Sequence, residues 1–160
     1  MSILIIEEKK MNEQYFIGLR NVTPQTVIEG GTIDLGRVYR RNCRKNRCGV
    51  RVFDTTNEDV TLNWDGIYEV KVSAVVSGTE AGDLTVQLLA NDVAVPTALA
   101  TETITTPETE FRTIGLQQLI LVDSSCVLGC TSTIPVGLSL QVLGIGATIS
   151  SIVVDIVKVK

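Results

Sequence analysis

The chain has 160 residues, enough for one well-buried domain and too few for two comfortable ones. Apolar residues make up 44% of it and aromatic ones only 4%, so the hydrophobic content is Val, Ile, Leu and Ala, the composition of stacked sheets rather than of an aromatic-lined pocket. The net charge is −4, there is no His, and no apolar run approaches the ~20 residues of a membrane helix, which excludes a helical membrane span, His-dependent Ser or Cys hydrolysis and any His-containing metal site.

Residues 1–10, MSILIIEEKK, hold a short apolar stretch that charges follow at once. A secretory signal needs a basic start and ~7–15 apolar residues, so the expectation is a protein kept inside the cell or assembled there into something larger. Ser2 to Glu7 suits a short strand, whereas Met11 to Arg20 mixes polar and apolar residues with no clean period. Turn residues follow at Asn21–Thr26 and at Glu29-Gly30-Gly31. Residues 1–31 therefore read as an arm or adaptor segment, and 32–160 as the domain.

From Thr32 strand follows strand. Ile33, Leu35 and Val38 lead to Tyr39, and Val50, Val52 and Phe53 resume after a basic hairpin. Val60, Leu62 and Trp64 alternate with Thr61 and Asn63, the period of a half-buried strand. Asp65-Gly66 supplies a tight turn, and Tyr68, Val70, Val72 and Ala74 then alternate with Glu69, Lys71 and Ser73. Leu84, Val86 and Leu88 lead to a turn at Asn91-Asp92 and a return through Val93 and Val95. Ile104, Ile114, Leu116, Leu119, Leu121, Ile134, Val136, Leu138, Leu140 and Val142 continue the theme. The final run, from Ile149 through Ile152, Val154, Ile156 and Val159, alternates only imperfectly. Eight to ten strands with regular turns predict an all-β fold, an antiparallel two-sheet sandwich with jelly-roll connections.

Some strands are apolar on both faces, at Leu88-Leu89 and Val153-Val154. A lone sandwich wants one wet face on each sheet, so these positions predict a second buried surface between subunits. Ile149, Ile152, Val154 and Ile156 are assigned to axial or core contacts, and Tyr68 to a packed layer.

Charge is unevenly spread. Arg37, Arg40, Arg41, Arg44, Lys45, Arg47 and Arg51 fall in one acid-free stretch, leaving 7 basic against 18 acidic residues elsewhere. Charge runs usually face solvent; the alternative is an anion-binding patch for an acidic protein, a polysaccharide or nucleic acid. Nucleic acid is disfavoured, because only Tyr39 interleaves the cluster and the rest of the chain is acidic. Cys43 and Cys48 are separated by four residues, Cys126 and Cys130 by three. Free thiols, a disulfide closing the basic hairpin and a cysteine-only zinc site all remain open, with reduced thiols as the default. Asp54, Glu58, Asp59, Asp65, Glu80, Asp83 and Asp92 fall mostly in turns, form no calcium-loop pattern and suggest no catalytic pair. No cofactor, metal or catalytic residue is assigned.

In this order the strands resemble the tumour necrosis factor-like jelly roll, including the globular heads of complement-type proteins. Ile33–Tyr39 looks like its opening strand, Trp64–Val72 resembles its Gly-x-Tyr strand through Gly66 and Tyr68, and Leu84–Val95 resembles its next hairpin. The resemblance covers residues 32–160. It implies a homotrimer with the last strand near the threefold axis; the paucity of aromatics leaves aliphatic residues to line that axis. Among phage chains of this type it implies a virion structural protein, a head fibre or capsid decoration protein, whose N-terminal arm docks on other virion proteins. A receptor- or glycan-binding head of the same fold is the alternative.

Overall fold

The structure is a computed structural model and describes residues 14–42, 45, 49–123 and 135–160. The strands among these residues are β1 (Phe16–Asn21), β2 (Gln25–Val27), β3 (Arg37–Asn42), β4 (Phe53–Thr55), β5 (Val60–Leu62), β6 (Gly66–Gly78), β7 (Gly82–Ala90), β8 (Val93–Ile104), β9 (Arg112–Val122), β10 (Val136–Leu143) and β11 (Ala147–Lys158). They form two antiparallel sheets. The first runs β3-β1-β11-β6-β9, with β2 also paired to β11; the second runs β4-β5-β10-β7-β8. Sequence neighbours thus often lie in different sheets, as jelly-roll connections require.

Period-2 alternation decides what goes inside. Tyr68, Val70, Val72, Ala74 and Val76 of β6 and Leu84, Val86 and Leu88 of β7 are buried, as are Leu138, Leu140 and Val142 of β10. Each fully buried aliphatic side chain of this size contributes roughly 1.5–3 kcal/mol over an exposed one. Tyr68 brings its own polar partner: its hydroxyl donates to the Trp64 carbonyl at 2.7 Å, and its ring meets Phe53 edge-on at 5.8 Å. Burial pushes its phenol well above the ordinary pKa of 10.0. The turn read at Asn91-Asp92 has φ of 50° and 64°, the left-handed pair that a two-residue hairpin demands.

Three expectations change. Residues 14–31 are not a free arm: β1 pairs with β11 and β3, β2 pairs with β11, and Ile17, Leu19 and Val27 are core. Flanking Phe16 and Gly18 break the alternation of this short strand, so the pattern is masked in sequence. Residues 14–31, expected to belong to the arm, thus form part of the first sheet, and residues 1–13 lie outside the described residues. With β1 and β2 included there are eleven strands among the described residues rather than eight to ten. On β9 the inward residues are Ile114, Ile120 and Val122, and Leu119 and Leu121 point outward, because pairing with Glu69 and Ile67 fixes their parity.

Candidate functional site

The first sheet has one face against the core, and its other face carries the unusual chemistry. Successive rungs from β9 through β6 and β11 to β1 read Leu119–Glu69–Val157–Phe16, then Gln117–Lys71–Asp155–Gly18, then Gly115–Ser73–Val153–Arg20. Leu121 opposite Ile67 extends the apolar end. Leu119 is 58% and Leu121 70% exposed, which is wet for leucines inside a regular strand. A shallow depression opens at Gly115, bordered by Lys71, Ser73, Gln117, Val153 and Asp155.

Asp155 is the polar hub of this face. Its Oδ1 accepts from the Tyr39 hydroxyl at 2.6 Å and from Arg40 Nη2 and Nε at 3.2 and 3.3 Å. A β-bulge makes this convergence work. Gly18 pairs with Arg40 and Leu19 with Val38, so Tyr39 is the extra residue, and two consecutive side chains reach one carboxylate. A Cβ at residue 18 would lie 2.6 Å from the carboxylate and 2.7 Å from the Tyr39 ring, which is why glycine stands there. The Arg20 guanidinium sits 5.3 Å from the centre of the Tyr39 ring, and Arg40 lies 5.4 Å from that of Phe16. Accepting that phenol's hydrogen bond, Asp155 raises the Tyr39 pKa above its ordinary value.

Beside this hub, a cleft of about 650 Å³ runs between the β1–β2 connection and the start of β3. Its frame is rigid: Gln25 donates to the Asp34 carbonyl at 2.7 Å and accepts from the Asp34 N–H at 2.9 Å. Gly36, at φ 78°, lets β3 start against the Arg20 carbonyl, where a Cβ would collide. Arg20 and Arg37 face each other across the ladder at its mouth.

The candidate residues separate accordingly. Tyr68, Ile149, Ile152, Val154 and Ile156 are all buried between the sheets, so any contact with another subunit passes to their outward neighbours Val153, Asp155 and Val157. Of the basic cluster, Arg37, Arg40 and Arg41 lie on β3, and Lys45 bridges Arg51. Arg40 alone among these five has a carboxylate partner among the described residues. Arg44, Arg47 and all four cysteines (Cys43, Cys48, Cys126 and Cys130) lie outside the described residues. No three Cys, Asp or Glu side chains converge on a common point among the described residues. Three of the acids read as turn residues accept structural bonds, Asp59 from the Thr56 hydroxyl at 2.8 Å, Asp54 from the Asn63 amide at 2.7 Å and Asp83 from Thr103 at 2.7 Å, and of these Asp54 lies on β4 and Asp83 on β7. Sequence reasoning missed the Asp155 hub, whose members are up to 116 positions apart. It also missed Gln87, a buried amide at the β7–β8 bulge whose Nε2 bonds the Val95 and Ala98 carbonyls at 2.7 and 3.2 Å.

Sandwich, strand order and the Gly66–Tyr68 strand together define a jelly roll of the tumour necrosis factor and complement C1q type. Murine APRIL matches it with a TM-score of 0.63 at 8% identity, over 91% of this chain and 99% of that one. The globular domain of zebrafish complement 1qA matches with 0.60 at 7% identity, over 91% and 98%. The vertex protein P5 of PRD1 matches with 0.51 at 15% identity, over 91% and 97%. No protein-family model matches the sequence, and no curated protein matches it.

Proposed function

We propose that this protein is a non-enzymatic structural component of a phage virion, a homotrimeric head fibre or capsid decoration protein. The observation that carries the reading is the outward face of the first sheet, where Leu119, Leu121, Ile67, Val153 and Val157 stand on a sheet whose other side already closes the core. A second sheet of the same molecule cannot cover them, so a neighbouring copy does, with the Asp155 hub and the Glu69–Lys71 pair as the polar part of the contact. The likeness to a phage vertex protein favours a particle as the setting. Residues 1–13 then act as the docking arm onto other virion proteins. For a receptor- or glycan-binding head the described surface offers little: of its large exposed aromatics, Tyr39 is committed to Asp155, which leaves Phe111.

Light scattering tests the assembly. The expected mass is three times the 17.3 kDa of one chain, and L119E/L121E should shift it to a folded monomer. A wild-type protein that is monomeric at micromolar concentration and fully folded would overturn the trimer. Co-sedimentation with purified phage shells tests the setting, and loss of binding on removal of residues 1–13 tests the arm.

A further inference from the structure

The first sheet ends at β3, which pairs with β1 and with no other strand among the described residues. Among the described residues its far side therefore presents main-chain N–H and C=O groups without a ladder partner, the template on which another strand adds. The side chains say which strand. Arg37 stands directly opposite Arg20, and like charges paired across a ladder repel. Neither has a carboxylate partner among the described residues, nor has Arg41. Arg41 pairs with inward-facing Ile17 while Arg37 pairs with outward-facing Arg20, so free guanidiniums line both faces of this one edge. The Lys45–Arg51 bridge adds two more cations to the same stretch of chain.

Such an edge rejects its own kind. Two copies of β3 laid side by side would oppose Arg to Arg, which blocks open-ended sheet growth. It selects instead a strand of opposite charge. We propose that the β3 edge receives an extended acidic segment of another polypeptide, main chain to main chain, with carboxylates of one parity on Arg37 and Arg20 and of the other on Arg41. The cleft framed by Gln25, Asp34 and Gly36 gives the incoming strand a fixed wall at the Arg37 end. Arg40 stays with Asp155 and takes no part. The inference does not rest on the virion setting, and it uses the side of β3 away from β1, whereas the proposed subunit contact uses Tyr39 and Arg40 on the outward face of that strand.

The test uses the full chain and a fluorescent peptide of repeated Glu and Val, with a control in which every Glu is Gln. Anisotropy should show binding of the Glu peptide only, weakening as salt rises, and R37Q/R41Q should lower affinity about tenfold or more while far-UV circular dichroism stays unchanged. Hydrogen exchange should slow at the amides of residues 37–42 when the Glu peptide binds. Equal binding of the Gln peptide, no binding of the Glu peptide at millimolar concentration, or binding without protection of 37–42 would each overturn the proposal. So would protection of those amides in the free protein that grows with concentration, which would make a second copy the occupant.

Discussion

At single residues, the core's strictness shows in two hydroxyls that fare differently. Tyr68 is satisfied by the Trp64 carbonyl, whereas the buried Ser77 hydroxyl has no hydrogen-bond partner among the described residues. An orphaned buried hydroxyl costs more than a methyl group in its place, so Ser77→Ala should raise stability by up to ~1 kcal/mol, read as a higher urea midpoint at unchanged m-value. Tyr68 makes the protein sensitive to alkali. Its folded pKa is raised by burial, so its contribution is complete below the unfolded value of 10.0 and drains away as pH climbs above it. The urea midpoint should fall more steeply above pH 10 in the wild type than in Tyr68→Phe, which lacks the ionising group. Much of this residue-level logic was readable in advance. Alternation at Val60–Leu62, Tyr68–Ala74 and Leu84–Leu88 named inward side chains correctly, because a polar residue separates each apolar one from the next and fixes the parity. Leu119-Ile120-Leu121-Val122 defeated the same rule, since four successive apolar residues carry no parity.

Among elements, turns and bulges set the register. Asn91 occupies a left-handed conformation, and its Oδ1 also accepts from the Gly137 N–H at 2.7 Å. Asn91→Ala should therefore cost about 1–2 kcal/mol in backbone strain plus the lost bond, while Asn91→Gly keeps the conformation and should cost about half as much or less. The β8–β9 connection depends on Glu110, which accepts from the Thr105 and Thr106 N–H groups and pairs with Arg112 at 2.9 Å. The Thr105 N–H first, then the guanidinium, hold its carboxyl at a pKa of about 2, against 4.5 in an unfolded chain. Its support is thus present above pH 4.5 and is lost as pH falls toward 2. An NMR titration should place the Glu110 carboxyl well below the ordinary 4.5, and Glu110→Gln should flatten the acid limb of the stability curve. Bulges were harder to foresee. Ile149 and Ile152 are three residues apart yet both buried, because the ladder slips between Ile149 and Ser151. That slip is the imperfection visible in the last run of the sequence, and nothing local says where it falls. The Tyr39 bulge is likewise set by Asp155, far along the chain.

For the whole molecule, the excess of aliphatic strand surface is the property that sequence and structure share. Of the two roles left open for Ile149, Ile152, Val154 and Ile156, axial or core, the described residues show them closing the sandwich, and the surplus lies on Val153, Val157, Leu119 and Leu121. If copies cover that surplus, assembly and stability are linked by mass action, so the thermal midpoint should rise with protein concentration and lose that dependence in L119E/L121E. Differential scanning calorimetry over a hundredfold dilution series would check it.

The position of β11 has a consequence for biosynthesis. It lies between β1 and β6 and also holds β2, yet it follows every one of them in the chain. While a ribosome is still making β7 to β10, the earlier strands wait with their central neighbour missing, their inward isoleucines and leucines available to any chaperone. A nascent chain arrested before Ala147 should remain protease-sensitive, and emergence of β11 should convert it in one cooperative step, so this sheet closes only once that strand has left the ribosome.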